Sequence, residues 1–222
     1  MANTNFKQDI FGQFARIGKA LGNSHRLEIL EFLAQCEYNV ESLARLGGLS
    51  VANASQHLQH LRQAGLVATR KEGLHVYYRL ADRDIIELMR VLRRVAERNL
   101  AEVDRLVNSY LKTKDELEPI PAKELLQRVR EGLVTVLDVR PPEEFAAGHL
   151  PGAVNVPLDE LERLWSSFNP EREIVAYCRG PYCVLAYSAV ERLRAHGLQA
   201  RRLEDGYPEW KAAGLPISSI AQ

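Results

Sequence analysis

The apolar positions of this chain fall into two styles. Over the first half they recur every three or four residues, the spacing of a helix face. Phe6, Ile10, Phe14, Ile17 and Leu21 share one such face. Asn23-Ser24 gives a capping signal before a second helix at 25–35, with Leu27, Leu30 and Leu33 inside. A short third helix is predicted at 40–46, stopped by Gly47-Gly48. Ser50 caps a fourth at 51–64, stopped by Gly65. Strand-like stretches at 66–70 and 76–80 flank Lys71-Glu72-Gly73-Leu74-His75, a hairpin signal. Asp82 then caps a long helix to about Leu111. Its apolar positions (Ile85, Met89, Leu92, Val95, Leu100, Val103, Leu106, Tyr110) step mainly by three and four. A stripe of that kind on a terminal helix needs a partner surface.

The second half alternates short apolar strands at 134–139, 153–156, 174–177 and 200–203 with helical patterns at 122–131, 143–147, 158–164 and 183–196. This alternation predicts a parallel sheet with helices on both faces. The seam is charged and then carries Pro119 and Pro121, which reads as a linker. The expected organisation is therefore a helix-rich domain with a β-hairpin wing at 1–111, a linker at 112–121 and an α/β domain at 122–222.

Helix, glycine-containing turn, helix and hairpin is the order of a winged helix-turn-helix, which places its second helix in the DNA major groove. A groove reader must present polar side chains to base edges. The 51–64 helix offers Asn53, Ser55, Gln56, His57, Gln59 and His60, with Val51, Leu58 and Leu61 left to pack. Arg62 is placed to meet phosphate. Arg70, Lys71 and His75 at the hairpin serve a backbone or minor-groove contact. The runs "ALGNSHRLEILEFL", "LSVANASQHLQHLRQAGLV" and "YYRL" resemble the ArsR-type winged helix-turn-helix regulators over about residues 6–110. The resemblance implies a repressor that binds a palindromic operator as a homodimer, joined through its first and last helices. Many relatives sense metals through paired cysteines on the third helix. Here 38–42 holds none, and Cys36 lies alone just before it, so no metal site and no cofactor are expected in this domain. Cys36 is expected to be a small core filler.

In the second half, Ile174-Val175-Ala176-Tyr177 runs straight into Cys178-Arg179-Gly180-Pro181-Tyr182-Cys183 and then a helix. The end of a parallel strand before a helix N-terminus is where α/β folds place ligands. Loop N–H groups and the helix dipole favour an anion there, and so a thiolate at Cys178. Gly180 permits a sharp turn, and Arg179 adds positive charge. "VLDVRPPEEFAAGHLPGAVNVP", the 178–183 loop and "DGYPEWKAAGLPI" resemble a rhodanese, a thiosulfate sulfurtransferase-like domain, over about 119–217. The resemblance implies that Cys178 is a nucleophile forming a persulfide with a small sulfur donor or acceptor. It implies that Asp138 and Arg140 brace the site, while Glu144, Gly148, His149, Pro151 and Gly152 shape the fold, His149 as a hydrogen-bonded core residue. Many members end the loop with an arginine. Cys183 stands there instead, which weakens thiosulfate use and disfavours phosphatase chemistry. Two thiols in C-x4-C allow a disulfide if their Cα atoms come within about 7 Å.

Three readings follow: a regulator sensing reactive sulfur, a sulfurtransferase whose DNA-binding half only controls its own gene, and a metalloid-responsive repressor using Cys178 and Cys183. Composition sharpens the picture in two ways. The chain has 222 residues, and its 29 basic and 29 acidic residues cancel, but residues 40–80 carry five basic against two acidic, so neutrality does not exclude DNA. Three cysteines make no disulfide framework, the N-terminus has no signal-peptide core, and no apolar run approaches the ~20 residues of a membrane helix. A reducing cytoplasm is the expected compartment.

Overall fold

The computed structural model describes residues 4–111 and 119–220. The expected linker falls mainly on 112–118, which lie outside the described residues. The chain divides into two compact units, Met1–Met89 and Arg90–Gln222, with the seam inside one helix.

The first unit is built from α1 (Thr4–Leu21), α2 (Ser24–Gln35), β1 (Tyr38–Asn39), α3 (Val40–Leu46), α4 (Val51–Gln63), β2 (Val67–Glu72) and β3 (His75–Leu80), and from the start of α5 (Asp84–Asn99). Two of the helices, α2 and α4, begin on caps that the sequence signals, and α3 begins on a third, Asn39, that the sequence reading does not name. Asn23 accepts from the Arg26 amide, Asn39 from Ser42 and Ser50 from Asn53. Each satisfies one N–H that the first turn leaves orphaned, worth about 1 kcal/mol. The core gathers Ile29, Leu30, Phe32, Leu33, Leu43, Leu58, Leu61 and Ile85, with Cys36 packed half-buried at its edge. The wing is longer than expected. Its turn shrinks to Gly73-Leu74, with Glu72 opposite His75 and Gly73 at φ +59°, a geometry that glycine adopts freely. β1 pairs with β3 to complete a three-stranded sheet in the order β1-β3-β2.

The single long helix expected at 82–111 is interrupted. Asp82 does accept from the Asp84 amide, but α5 ends at Asn99, and Leu100 is extended (φ −115°, ψ 99°) before α6 (Ala101–Tyr110). The Asn99 side chain donates to its own helix at Val95 O, 2.8 Å, and α6 opens with Glu102 and Asp104, acids suited to a helix N-terminus. Across Val95 and Leu100 the apolar step is five, which breaks the phase of a continuous helix face.

The second unit holds α7 (Ala122–Arg130), β4 (Val134–Asp138), α8 (Pro142–Ala147), β5 (Val154–Asn155), α9 (Leu161–Leu164), a 3₁₀ turn (Trp165–Ser167), β6 (Glu173–Tyr177), α10 (Val184–Ala195), β7 (Ala200–Arg202) and α11 (Tyr207–Ala212). The four strands are parallel in the order β5-β4-β6-β7. Strand alternation sorts the two cores. Leu137, Val139, Ile174, Ala176 and Cys178 pack with α9 and α10 through Leu161, Ala189, Val190 and Leu193. Val134, Val136, Val175 and Tyr177 pack on the other face with Leu125, Leu203, Tyr207 and Trp210. Both central strands are buried on both faces, which is why they read as largely apolar stretches.

Candidate functional site

In the first unit α4 buries Ala54, Leu58 and Leu61 and leaves Asn53, Ser55, Gln56, Gln59, His60 and Arg62 exposed. These six therefore share the outer side of one helix. His57 differs. It is half-buried, its ring lies 5.6 Å from His25, and its Nδ1 is buried with no hydrogen-bond partner among the described residues. Burial lowers its pKa, and Arg26, His25 and His60 push in the same direction. On the wing Arg70, Lys71 and His75 are all exposed. Arg70 pairs with Glu37 at 2.8 Å and Glu72 at 2.6 Å and lies over the Tyr77 ring, so much of its charge is committed within the sheet. Among the described residues Lys71 has no such pairing.

In the second unit β6 delivers Cys178 to the carboxyl end of the sheet. The loop that follows curls back, with the Cys183 amide donating to Gly180 O at 3.1 Å, and α10 begins at Val184. Cys178 and Cys183 are joined as a disulfide with their Cα atoms 6.1 Å apart. Cys178 is buried and Cys183 half-buried. The loop is held from behind. Tyr207 N donates to Cys178 O at 3.1 Å, and a Cβ on Gly206 would come within 2.4 Å of the Arg179 and Gly180 backbone. A cleft of about 530 Å³ opens at the same sheet end, walled by Val139, Pro157, Leu158, Leu185 and Arg192.

Asp138, the last residue of β4, and Arg140 just after it are both fully buried. Arg140 Nε donates to Asp138 Oδ1 at 3.0 Å and its Nη2 to Oδ2 at 2.6 Å, while Nη2 also reaches Gly148 O at 2.8 Å. The guanidinium lies 4.3 Å over the Tyr207 ring. Burial alone would lower the Arg140 pKa, but the hydrogen bonds and charge of Asp138 outweigh it and raise it. Tyr177 links this pair to the backbone: its hydroxyl donates to Asp138 Oδ2 and accepts from Leu150 N. Burial first and Asp138 second raise the Tyr177 pKa. His149 is a buried residue, with Nδ1 2.9 Å from Phe145 O and its ring stacked on Phe145. Arg179 is bound to Glu144, whose carboxylate is fully buried.

The sequence reading missed Tyr177 and Tyr207 as members of this network. In the sequence Tyr177 reads as one more strand residue, and only the pairing of β4 with β6, Asp138 opposite Tyr177, brings the hydroxyl to the carboxylate. Among the described residues no group of three or more His, Cys, Asp or Glu is placed to hold a metal ion, and no helix is long and apolar enough to cross a membrane.

A winged helix-turn-helix with a polar reading helix, joined in one chain to a parallel α/β unit carrying a cysteine loop, defines a class of two-part transcription factors. Residues 23–69 match the family model for bacterial regulatory proteins of the arsR family, and residues 121–213 match the rhodanese-like domain. The HTH-type transcriptional regulator Rv0324 of Mycobacterium tuberculosis is 44% identical over 97% of this chain and 94% of its own length. The chain belongs to this family of transcriptional regulators with an arsR-type DNA-binding domain and a rhodanese-like domain. The transcriptional activator HlyU of Vibrio cholerae is 40% identical over 35% of this chain and 71% of its own. The homodimeric winged helix-turn-helix domain Mb0332 of Mycobacterium bovis, solved by NMR, is 41% identical, covers 45% of this chain and 93% of that one, and has a TM-score of 0.42.

Proposed function

We propose that this regulator reads reactive sulfur at Cys178 and converts it into a change in operator affinity, as a repressor working as a homodimer. The observation that carries the reading is the cysteine pair: two sulfurs within bonding reach on one loop, in a chain that regulates transcription.

The chemistry closes in two steps. The Cys178 thiolate attacks the outer sulfur of a persulfide or polysulfide, forming Cys178–S–SH and expelling the donor's remaining thiolate. The Cys183 thiolate then attacks Cys178 Sγ, forming the Sγ–Sγ bond and releasing hydrosulfide. The disulfide is the product of the second step. A dithiol reductant supplies the two electrons that reset it. Asp138, Arg140 and Tyr177 form a buried network of their own and touch no reacting atom in this scheme. Sulfurtransferase turnover to an external acceptor uses the same first step.

The exposed apolar residues of the first and last helices support the dimer. Phe6, Phe11 and Phe14 on α1, and Leu92, Val95, Leu100 and Leu106 on α5 to α6, are all exposed in the single chain. Each set is an exposed apolar face of the kind that subunit association buries.

The test is a mass spectrum of the Cys183→Ser protein after polysulfide, thiosulfate or arsenite. The expected result is a gain of one sulfur atom on Cys178 with polysulfide. An unmodified Cys178 with polysulfide overturns the reading, and an arsenic adduct in place of sulfur moves it to a metalloid sensor.

A further inference from the structure

A second cationic site lies beside the reading helix. Arg16 and Lys19 of α1, Arg26 of α2 and His60 of α4 line a cleft of about 320 Å³, with Ala20, Gln63 and Ala64. Backbone carbonyls fix both guanidiniums. Arg16 donates to Gln63 O at 2.9 Å, and Arg26 donates to Ala20 O and, at 2.8 Å, to Lys19 O. Among the described residues no carboxylate lies within ion-pair reach of Arg16, Lys19 or Arg26. The carbonyl ends of α1 and α4 contribute roughly half a negative charge each. Three full positive charges outweigh them. The start of α2, with no acid in its first turn, adds positive potential. Two arginines held as helix caps would by themselves be a structural device. Among the described residues the Lys19 ammonium makes no hydrogen bond or ion pair, and it gives the cleft an excess of charge.

We infer that this cleft takes a backbone phosphate of the DNA strand that borders the groove read by α4. The inference rests on the DNA-reading role proposed above. His60 carries the connection. It lines the cleft, and it follows Asn53 and Gln56 at the spacing of one helix face, so the cleft continues the reading surface at its C-terminal end. A phosphodiester matches the site, because guanidinium and ammonium groups fixed by backbone need one acceptor-rich anion. It carries no base information, so its contribution is sequence-independent and sensitive to salt.

The experiment measures DNA affinity of the full chain against salt concentration for wild type, Lys19→Ala and Lys7→Ala. Lys7 lies on the same helix outside the cleft and serves as the control for lost charge. Lys19→Ala is expected to lower the slope of log K against log salt by about one unit and to weaken selected and unrelated DNA alike. Lys7→Ala is expected to change neither. Lys19→Glu is expected to weaken binding further. If wild type shows salt-dependent DNA binding and Lys19→Ala matches Lys7→Ala, the cleft inference fails while the DNA reading stands. If wild type binds no DNA, both fail. Titration with inorganic phosphate at constant ionic strength is the third arm. Saturable binding that Lys19→Ala abolishes, with an unchanged DNA slope, assigns the cleft to a free anion and overturns the inference.

Discussion

Arg179, the residue after the loop's first cysteine, is bound through Nε and Nη2 to the fully buried carboxylate of Glu144, at 2.8 and 2.6 Å. Its charge is therefore used largely to fasten the loop to α8. Glu144→Gln keeps the shape and leaves the guanidinium without its countercharge. Breaking a buried pair from one side costs about 3 kcal/mol or more. Urea unfolding is expected to show a loss of that order. A loss under about 0.5 kcal/mol, the range of ordinary surface substitutions, would show that the pair does not hold the loop.

Gly206 has a more local role. A methyl group there meets loop backbone at 2.4 Å, and backbone cannot swing aside like a side-chain tip. Gly206→Ala is expected to cost about 1–3 kcal/mol, the range of overpacked cores, and to alter the rate at which the Cys178–Cys183 disulfide is reduced. Unfolding curves and thiol-release kinetics check both, and wild-type values for both would contradict the packing argument.

His57 gives a pH signature. Its folded pKa lies below the ordinary 6.5, chiefly because burial disfavours the cation, with Arg26, His25 and His60 adding to the effect. The unfolded chain therefore binds the extra proton more readily. The neutral ring's contribution is fully present above about pH 6.5 and is lost as pH falls below it. Wild type is expected to lose more stability than His57→Gln between about pH 7.5 and pH 5.5. Parallel losses in the two proteins would contradict this.

The DNA surface separates by residue. Lys71, exposed and unpaired among the described residues, is expected to behave as a phosphate contact, so Lys71→Ala lowers affinity for all sequences and reduces the salt slope by about one. Arg70 is tied to Glu37 and Glu72, and Arg70→Ala is expected to reduce the slope less. Gln56→Ala is expected to change base preference, which selection from a random pool reads directly. Identical preferences and slopes in all three variants would remove the groove assignment.

Much of this fold was legible because capping and periodicity act locally. Asn23 and Ser50 each start a helix with their own side chains, and the buried strands β4 and β6 stand out as short apolar stretches between helical patterns. The break at Leu100 was present in the sequence as a step of five, although no proline or glycine marked it. The bracing of the loop was less legible. Glu144 meets Arg179 across 35 residues, and Tyr177 meets Asp138 across 39, through strand register and loop packing that no local pattern encodes. The basic cleft was hidden for the same reason. Arg16, Lys19, Arg26 and His60 come from three helices, and each reads alone as an ordinary surface residue.

If Cys178 senses reactive sulfur, operator affinity must respond to a sulfur donor through that residue. Anisotropy of a labelled DNA fragment, selected by the protein from a random pool, gives operator affinity with and without inorganic polysulfide for wild type and Cys178→Ser. Polysulfide is expected to shift the wild-type Kd by about tenfold, within the usual range of allosteric coupling. A dithiol reductant restores the starting affinity, and Cys178→Ser does not respond. Equal responses of the two proteins, or no response in wild type, would contradict it.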